Sequence, residues 1–343
     1  MAAEALLYER EGEDVVRCAL CAHRCRIDAG ARGICGVREN RAGILTSLVS
    51  RTIAAAHCDP IEKKPLFHVL PGSRSYSIAT AGCNFRCTFC QNHEISQMPR
   101  EEGRIAGRDL APAEIVELAL RSGSKSISYT YTEPTVFFEL VYETAGIARE
   151  KGLRNVLVTN GYMTGEMLRL FAPRLDAANV DLKAFSDDFY RKQCGAKLQP
   201  VLASLQTMKA LGIWVEVTTL LIPGLNDGEE ELRDLAGFIL SLGAETPWHI
   251  SRFHPRYRMT NRPPTPAASI HRATGIGKSV GLKYVYSGNI PGDRGENTFC
   301  AHCGHLLIGR RGFAVERLDL TGSACPRCGA VLDGVFEGTG EQS

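Results

Sequence analysis

The chain has 343 residues, 44% of them hydrophobic and 23% charged, which is enough apolar material for a barrel-sized core with appendages. A formal net charge of +2 provides no broad field for nucleic acid or for anionic membranes, although Arg252, Arg256, Arg258 and Arg262 cluster locally. The N-terminal stretch from Met1 to Arg10 lacks the basic and apolar regions of an export signal, and no run approaches the ~20 apolar residues of a membrane span, so a cytoplasmic protein is expected.

There are 13 cysteines, and all but Cys58 and Cys194 fall into three tight groups. In a reducing compartment such grouping signals metal sites, not disulfides. The first group, Cys18, Cys21, Cys25 and Cys35, has the pattern C-x2-C-x3-C-x9-C, with Gly30, Gly33 and Gly36 around its last member. Four sulfurs so spaced suit either a zinc ion or an iron–sulfur cluster. Residues 1–72 are expected to form this Cys-rich N-terminal segment. Its last part, near 41–72, reads as a connection with short strands.

From Tyr76 to about Ser287 strand-like and helix-like segments alternate. The strand candidates are 76–80, 126–131, 154–159, 177–183, 213–220 and 248–253. Parallel strands need crossover helices, and Pro112 suits the first turn of one of them. Six such units fall short of the eight of a closed barrel, so residues 73–290 are expected to fold as a partial (β/α)6 barrel. Its site should lie at the C-terminal ends of the strands.

Directly after the first strand candidate, Cys83, Cys87 and Cys90 form a C-x3-C-x2-C array. Three thiolates can hold three corners of a 4Fe-4S cluster and leave one iron open for a ligand. Gly82 allows the sharp turn, while Phe85 and Phe89 could keep water away. On the same end Pro134 biases Glu133 toward an extended backbone at a strand tip. There the carboxylate could pair with a ligand ammonium or act as a helix N-terminal acid. Thr159 and Asn160 end the third candidate and could hydrogen-bond a ribose or carboxylate. In the fourth, alternation puts Asn179, Asp181 and Lys183 on one face and Val180 and Leu182 on the other. An inward polar trio is costly unless it pairs or binds something. Cys194, in the following loop, suits either a buried core position or a chemical role. Arg252 and His254 share a face at the end of the sixth candidate and could meet cofactor or substrate. Residues 291–343 form a last unit with two C-x2-C-G knuckles, Cys300/Cys303 and Cys325/Cys328. This spacing is that of a zinc ribbon, with a rubredoxin-like iron as the rival.

The array from Cys83 to Cys90, with Phe89 before its last cysteine, resembles the cluster signature of the radical SAM enzymes. The wider set is most similar to the radical SAM enzymes of the AmmeMemoRadiSam system, relatives of the pyruvate formate-lyase activating enzymes. It comprises the N-terminal cysteines, Thr132-Glu133-Pro134, Asp181-Leu182-Lys183 and the stretch from Trp248 to Pro255. The resemblance implies a 4Fe-4S cluster whose open iron is chelated by S-adenosylmethionine. An electron then cleaves the sulfonium, and a 5'-deoxyadenosyl radical takes hydrogen from a substrate that the sequence does not identify. It also implies Glu133 near the methionine amine and Asp181 and Lys183 near the nucleoside. On this reading Phe89, Glu133, Thr159, Asn160, Asp181 and Arg252 bind the cofactor. Lys183, Cys194 and His254 are the catalytic candidates, and zinc sits in the ribbon. A reduced flavodoxin- or ferredoxin-like donor would supply the electron, and a protein substrate or companion proteins are further partners. One departure is Val158, where some activating enzymes carry an acidic residue. The alternatives are a glycyl-radical-enzyme activase and, in a different class, a non-catalytic Fe-S/Zn module that binds protein or nucleic acid.

Overall fold

The structure is a computed structural model and describes residues 2–337. Its centre is an eight-stranded sheet. In chain order the strands are β1 (Ala55–Pro60), β2 (Arg74–Ala79), β3 (Ser126–Tyr129), β4 (Arg154–Thr159), β5 (Ala177–Asp181), β6 (Trp214–Leu221), β7 (Trp248–Arg252) and β8 (Val285–Gly288). They lie side by side in that order, with β2 to β8 parallel and β1 antiparallel to β2. Strands β1 and β8 are the two edges, so the barrel is open.

The six expected strands are β2 to β7. The structure adds β8 as a further parallel strand and β1 as an antiparallel edge. The main sheet therefore begins before residue 73. The stretch read as a connection supplies its first strand and then Ile61, Leu66, Val69 and Leu70, which pack against Val156 and Ala177.

Crossover helices follow the strands: α1 (Pro112–Arg121), α2 (Phe138–Glu150), α3 (Gly165–Phe171), α4 (Leu198–Ala210), α5 (Glu229–Leu242) and α6 (Ala267–Val280). Pro112 occupies the first turn of α1, and the Glu114 carboxylate accepts from Ala111 N–H at 2.7 Å. Three glutamates, Glu229 to Glu231, open α5, where the helix dipole favours negative charge. Leu232, Leu235, Ala236 and Ile239 form its buried stripe. Helix α6 approaches β7 closely because Gly277 has no side chain: a Cβ there would lie 2.9 Å from the Trp248 ring.

Two small three-stranded antiparallel sheets make up the N-terminal region. The C-terminal region is a third, formed by Thr298–Phe299, Leu306–Arg311 and Ala314–Leu318. Its apolar face, with Leu307, Ile308 and Leu332, packs on Phe67 and on Tyr284 and Tyr286 beside and within β8. Arg310 is buried at this junction. It donates to Phe67 O (2.7 Å) and Thr298 Oγ1 (2.8 Å), and its guanidinium lies 4.1 Å from the centre of the Phe67 ring. Glu62, also buried, is 3.7 Å away. Removing one partner of a buried ion pair strands the other, at a cost of roughly 3–5 kcal/mol. Arg310→Ala should therefore lower the melting temperature and expose the 291–297 connection to limited proteolysis. Unchanged melting and cleavage would mean that the junction does not depend on this side chain.

Candidate functional site

The loop after β2 turns at Gly82, which has φ +101°; a Cβ here would sit 2.7 Å from Val37 Cγ1. Backbone bonds then fix the cysteine array. Arg86 N–H donates to Cys194 O and Thr88 N–H to Gln193 O, both at 2.9 Å. Arg100 Nη2 donates to Phe85 O at 2.6 Å. Phe85 and Phe89 are buried against Tyr162 and Phe189 respectively. Cys83, Cys87 and Cys90 all open into one cavity of about 550 Å³, within the ~300–1,000 Å³ range of ligand pockets. Cys83 Sγ receives the Phe85 N–H (3.3 Å), and Cys90 Sγ lies 3.3 Å from the Ser96 hydroxyl. Burial raises the Cys83 and Cys90 thiols; a hydrogen bond with Cys194 and then burial raise Cys87. Thiols placed so dry become thiolates when a metal compensates their charge. The donor set thus fits a cluster bound through three sulfurs with its remaining corner turned to the cavity.

The sequence-predicted polar residues converge here. Glu133 is buried just before a 3-10 turn and accepts four hydrogen bonds: from Thr135 N (3.0 Å), Thr135 Oγ1 (2.5 Å), Thr159 Oγ1 (2.7 Å) and Asn160 N (2.8 Å). Three of these bonds end on Oε1 and one on Oε2. The same network reaches the cysteine loop, because Asn160 Nδ2 donates to Asn84 Oδ1 at 2.7 Å. Opposite, Asp181 and Lys183 project into the cavity with 2.6 Å between Lys183 Nζ and Asp181 Oδ2. Asn179 lies deeper and donates to Pro65 O (2.8 Å), while Val180 and Leu182 are buried among apolar neighbours, as the alternation requires.

Three predicted residues stand apart from the cavity wall. Arg252 Nε donates to Thr265 O at 2.8 Å. His254 is exposed just beyond β7. Cys194 is fully buried behind Cys87, where its carbonyl helps hold the loop. Strand alternation puts Arg252 and His254 on the opposite face: His249 and Ser251 are the side chains of β7 that line the cavity.

Other residues of the cavity went unnoticed in the sequence. His249 Nε2 lies 2.6 Å from the buried Glu216 carboxylate, with its ring stacked on Tyr286 at 5.1 Å. Lys64, buried between Asp59 (2.6 Å) and Tyr131 (3.4 Å), faces the cavity, and burial pulls its ammonium down to about 8. Tyr131 has φ +61°, a backbone state rare for its type, but a sequence does not display φ. Residues of both sheet edges and of the C-terminal region, including Lys64, Ser287 and Phe313, line the same cavity.

In the C-terminal region, Cys300, Cys303, Cys325 and Cys328 place all four sulfurs within 4.8 Å of one another. The Cys300–Cys328 and Cys303–Cys325 distances are 3.6 and 3.7 Å. A tetrahedral zinc with ~2.3 Å bonds spaces its sulfurs by about 3.8 Å, so this quartet could hold zinc without rearrangement.

The chain is similar to known proteins at two scales. The model of the Radical SAM superfamily matches residues 77–236. Along nearly its whole length the chain is 47% identical to the uncharacterized protein MJ0808 of Methanocaldococcus jannaschii, covering 96% of this chain and 98% of that one. It is 24% identical to the pyruvate formate-lyase-activating enzyme of Clostridium pasteurianum, over 50% of this chain and 71% of the enzyme. A crystal structure of a radical SAM methyltransferase from Sphaerobacter thermophilus shares the fold, with a TM-score of 0.51 at 19% identity over 64% of this chain and 68% of that one. With the three-cysteine loop at the mouth of an open parallel barrel, residues 77–236 form a domain of the Radical SAM superfamily, a family whose cofactors are a 4Fe-4S cluster and S-adenosylmethionine.

Proposed function

We propose that this protein is an enzyme that reductively cleaves S-adenosylmethionine and abstracts a hydrogen atom from a substrate held in the remainder of the cavity. The observation that carries this reading is the shared cavity: three cysteine sulfurs and the polar strand ends face one space of about 550 Å³. When bound, the cluster and S-adenosylmethionine supply one-electron cleavage of the sulfonium and a 5'-deoxyadenosyl radical.

The chain's own residues have separable tasks in this scheme. Cys83, Cys87 and Cys90 hold the cluster. Phe85 and Phe89 exclude water from it. The Glu133 network fixes the orientation of Thr159 and Asn160, so that the Asn160 amide stays against the cysteine loop. Asp181 and Lys183 present a paired charge to the nucleoside side of the cavity. Val158 also lines the cavity, at the position where some activating enzymes carry an acidic residue, so this side chain offers no carboxylate to a cation there. His249 lines the cavity with its ring oriented by the Glu216 carboxylate, which takes up Nε2. The narrower assignment, to the AmmeMemoRadiSam group with a flavodoxin- or ferredoxin-like electron donor, rests on the residues quoted in the sequence analysis and fixes no substrate.

A second reading, activation of a glycyl-radical enzyme, is favoured by the likeness to an activating enzyme over half of the chain. Against it, Gly312 and Phe313 of the C-terminal region line the cavity and narrow the approach for a folded partner.

Anaerobic protein with a strong one-electron reductant should release 5'-deoxyadenosine from S-adenosylmethionine. Cys87→Ala should reduce that release at least ~100-fold, whereas a non-catalytic metal module would release none in either form. Lys183→Met should lower the rate roughly 10–100-fold while the iron content stays at the wild-type level, which separates positioning from cluster loss. An unchanged rate would remove Lys183 from the site. Deuterium transferred into 5'-deoxyadenosine from a labelled glycyl-radical protein would establish the activase reading; transfer only from small molecules would exclude it.

A further inference from the structure

We infer that the four N-terminal cysteines hold a second 4Fe-4S cluster, separate from the three-cysteine site. Cys18, Cys21, Cys25 and Cys35 line one pocket, walled by Leu20, Ile27, Ile34 and Val136. Among the described residues, the C-terminal quartet is the group whose donors all come within 4.8 Å of one another; no three of the N-terminal sulfurs do so. Zinc requires sulfurs about 3.8 Å apart. A cube of iron and sulfide carries its cysteines at four separate irons and spreads them further.

The surrounding polar atoms point the same way. The N–H groups of His23, Ile34 and Val37 face the sulfurs of Cys21, Cys25 and Cys35. Arg38 Nη1 donates to Cys18 Sγ at 3.0 Å, and its buried charge pairs with Glu139. Two further donors at this pocket, Arg38 Nε and Asn84 Nδ2, are buried with no hydrogen-bond partner among the described residues. Unpaired buried donors are costly, and the bridging sulfides of a cluster would supply acceptors for them. Asn84 also adjoins Cys83, with 3.9 Å between Asn84 Oδ1 and Cys83 Sγ, so it links the N-terminal pocket to the three-cysteine loop.

The test is metal and sulfide analysis of full-length protein, purified and reconstituted anaerobically, beside the triple variant Cys83→Ala, Cys87→Ala, Cys90→Ala. This variant leaves the N-terminal pocket untouched, and circular dichroism checks its fold. The inference requires about eight irons in the wild type and about four, with matching sulfide, in the triple variant. Zinc should stay at about one per chain in both, in the C-terminal quartet. A triple variant without iron, or a wild type with about four irons and two zincs, overturns it. Iron at about four in both proteins would keep the second cluster and instead remove the three-cysteine site, so the two assignments fail separately. Should the triple variant not fold, Mössbauer spectra of the wild type decide. Two cluster components, of which S-adenosylmethionine perturbs one, support the inference; a single component contradicts it.

Discussion

Two backbone bonds hold the centre of this molecule in place: Arg86 N–H to Cys194 O and Thr88 N–H to Gln193 O. They tie the cysteine loop after β2 to the loop after β5, whose irregular turn ends at Gly195 with φ +71°. The positive φ at Gly195 favours glycine, and a Cβ there would also press on the Arg86 side chain, 2.4 Å from Nε. On the other flank Gly82 lets the loop lie on Val37 of the N-terminal region. The three sulfurs therefore take their positions from three distant parts of the chain, and their direction into the cavity follows from that clamp.

The clamp explains how the barrel accommodates so many polar groups. Inward positions on β5, β6 and β7 carry Asn179, Asp181, Glu216, Thr218 and His249, and the outward positions are apolar except for Thr219 and Arg252. Burial of such groups is tolerable when they bond to one another. Lys183 pairs with Asp181, Lys64 with Asp59, and His249 with Glu216. What remains open lies along the cavity between the cysteine loop and the strand ends, where a polar nucleoside would replace water. The C-terminal region takes part in this enclosure, because Arg310 and Glu62 fasten it beside the cavity while Phe313 forms part of the wall.

Much of this was legible in the sequence, for physical reasons. The strands β2 to β7 alternate with amphipathic helices, and the cysteine array follows the first of them. Glu133, Thr159, Asn160, Asp181 and Lys183 lie at strand ends, where parallel sheets build sites. Strand β1 escaped because His57-Cys58-Asp59-Pro60 does not read as a strand at all. Arg252 and His254 were misplaced by the pleat at the end of β7, which sends His249 and Ser251 inward instead. Glu216 stayed hidden because its partners, the N–H groups of Phe67 and His68, are far away in the chain, and Lys64 because its place on the cavity wall depends on the distant Tyr131 as well as on the nearby Asp59. A spacing rule reads local ligands, whereas these pairs exist only after the barrel has closed over the 61–70 segment.

The central claim is that the cluster at Cys83, Cys87 and Cys90 keeps one iron free for S-adenosylmethionine. The most direct measurement is electron–nuclear double resonance on the reduced protein with S-adenosylmethionine labelled at its amino nitrogen and carboxylate oxygens. The account predicts hyperfine coupling from both labels to a reduced 4Fe-4S centre, lost when Cys87 is replaced. A reduced centre that shows neither coupling at saturating S-adenosylmethionine would contradict it.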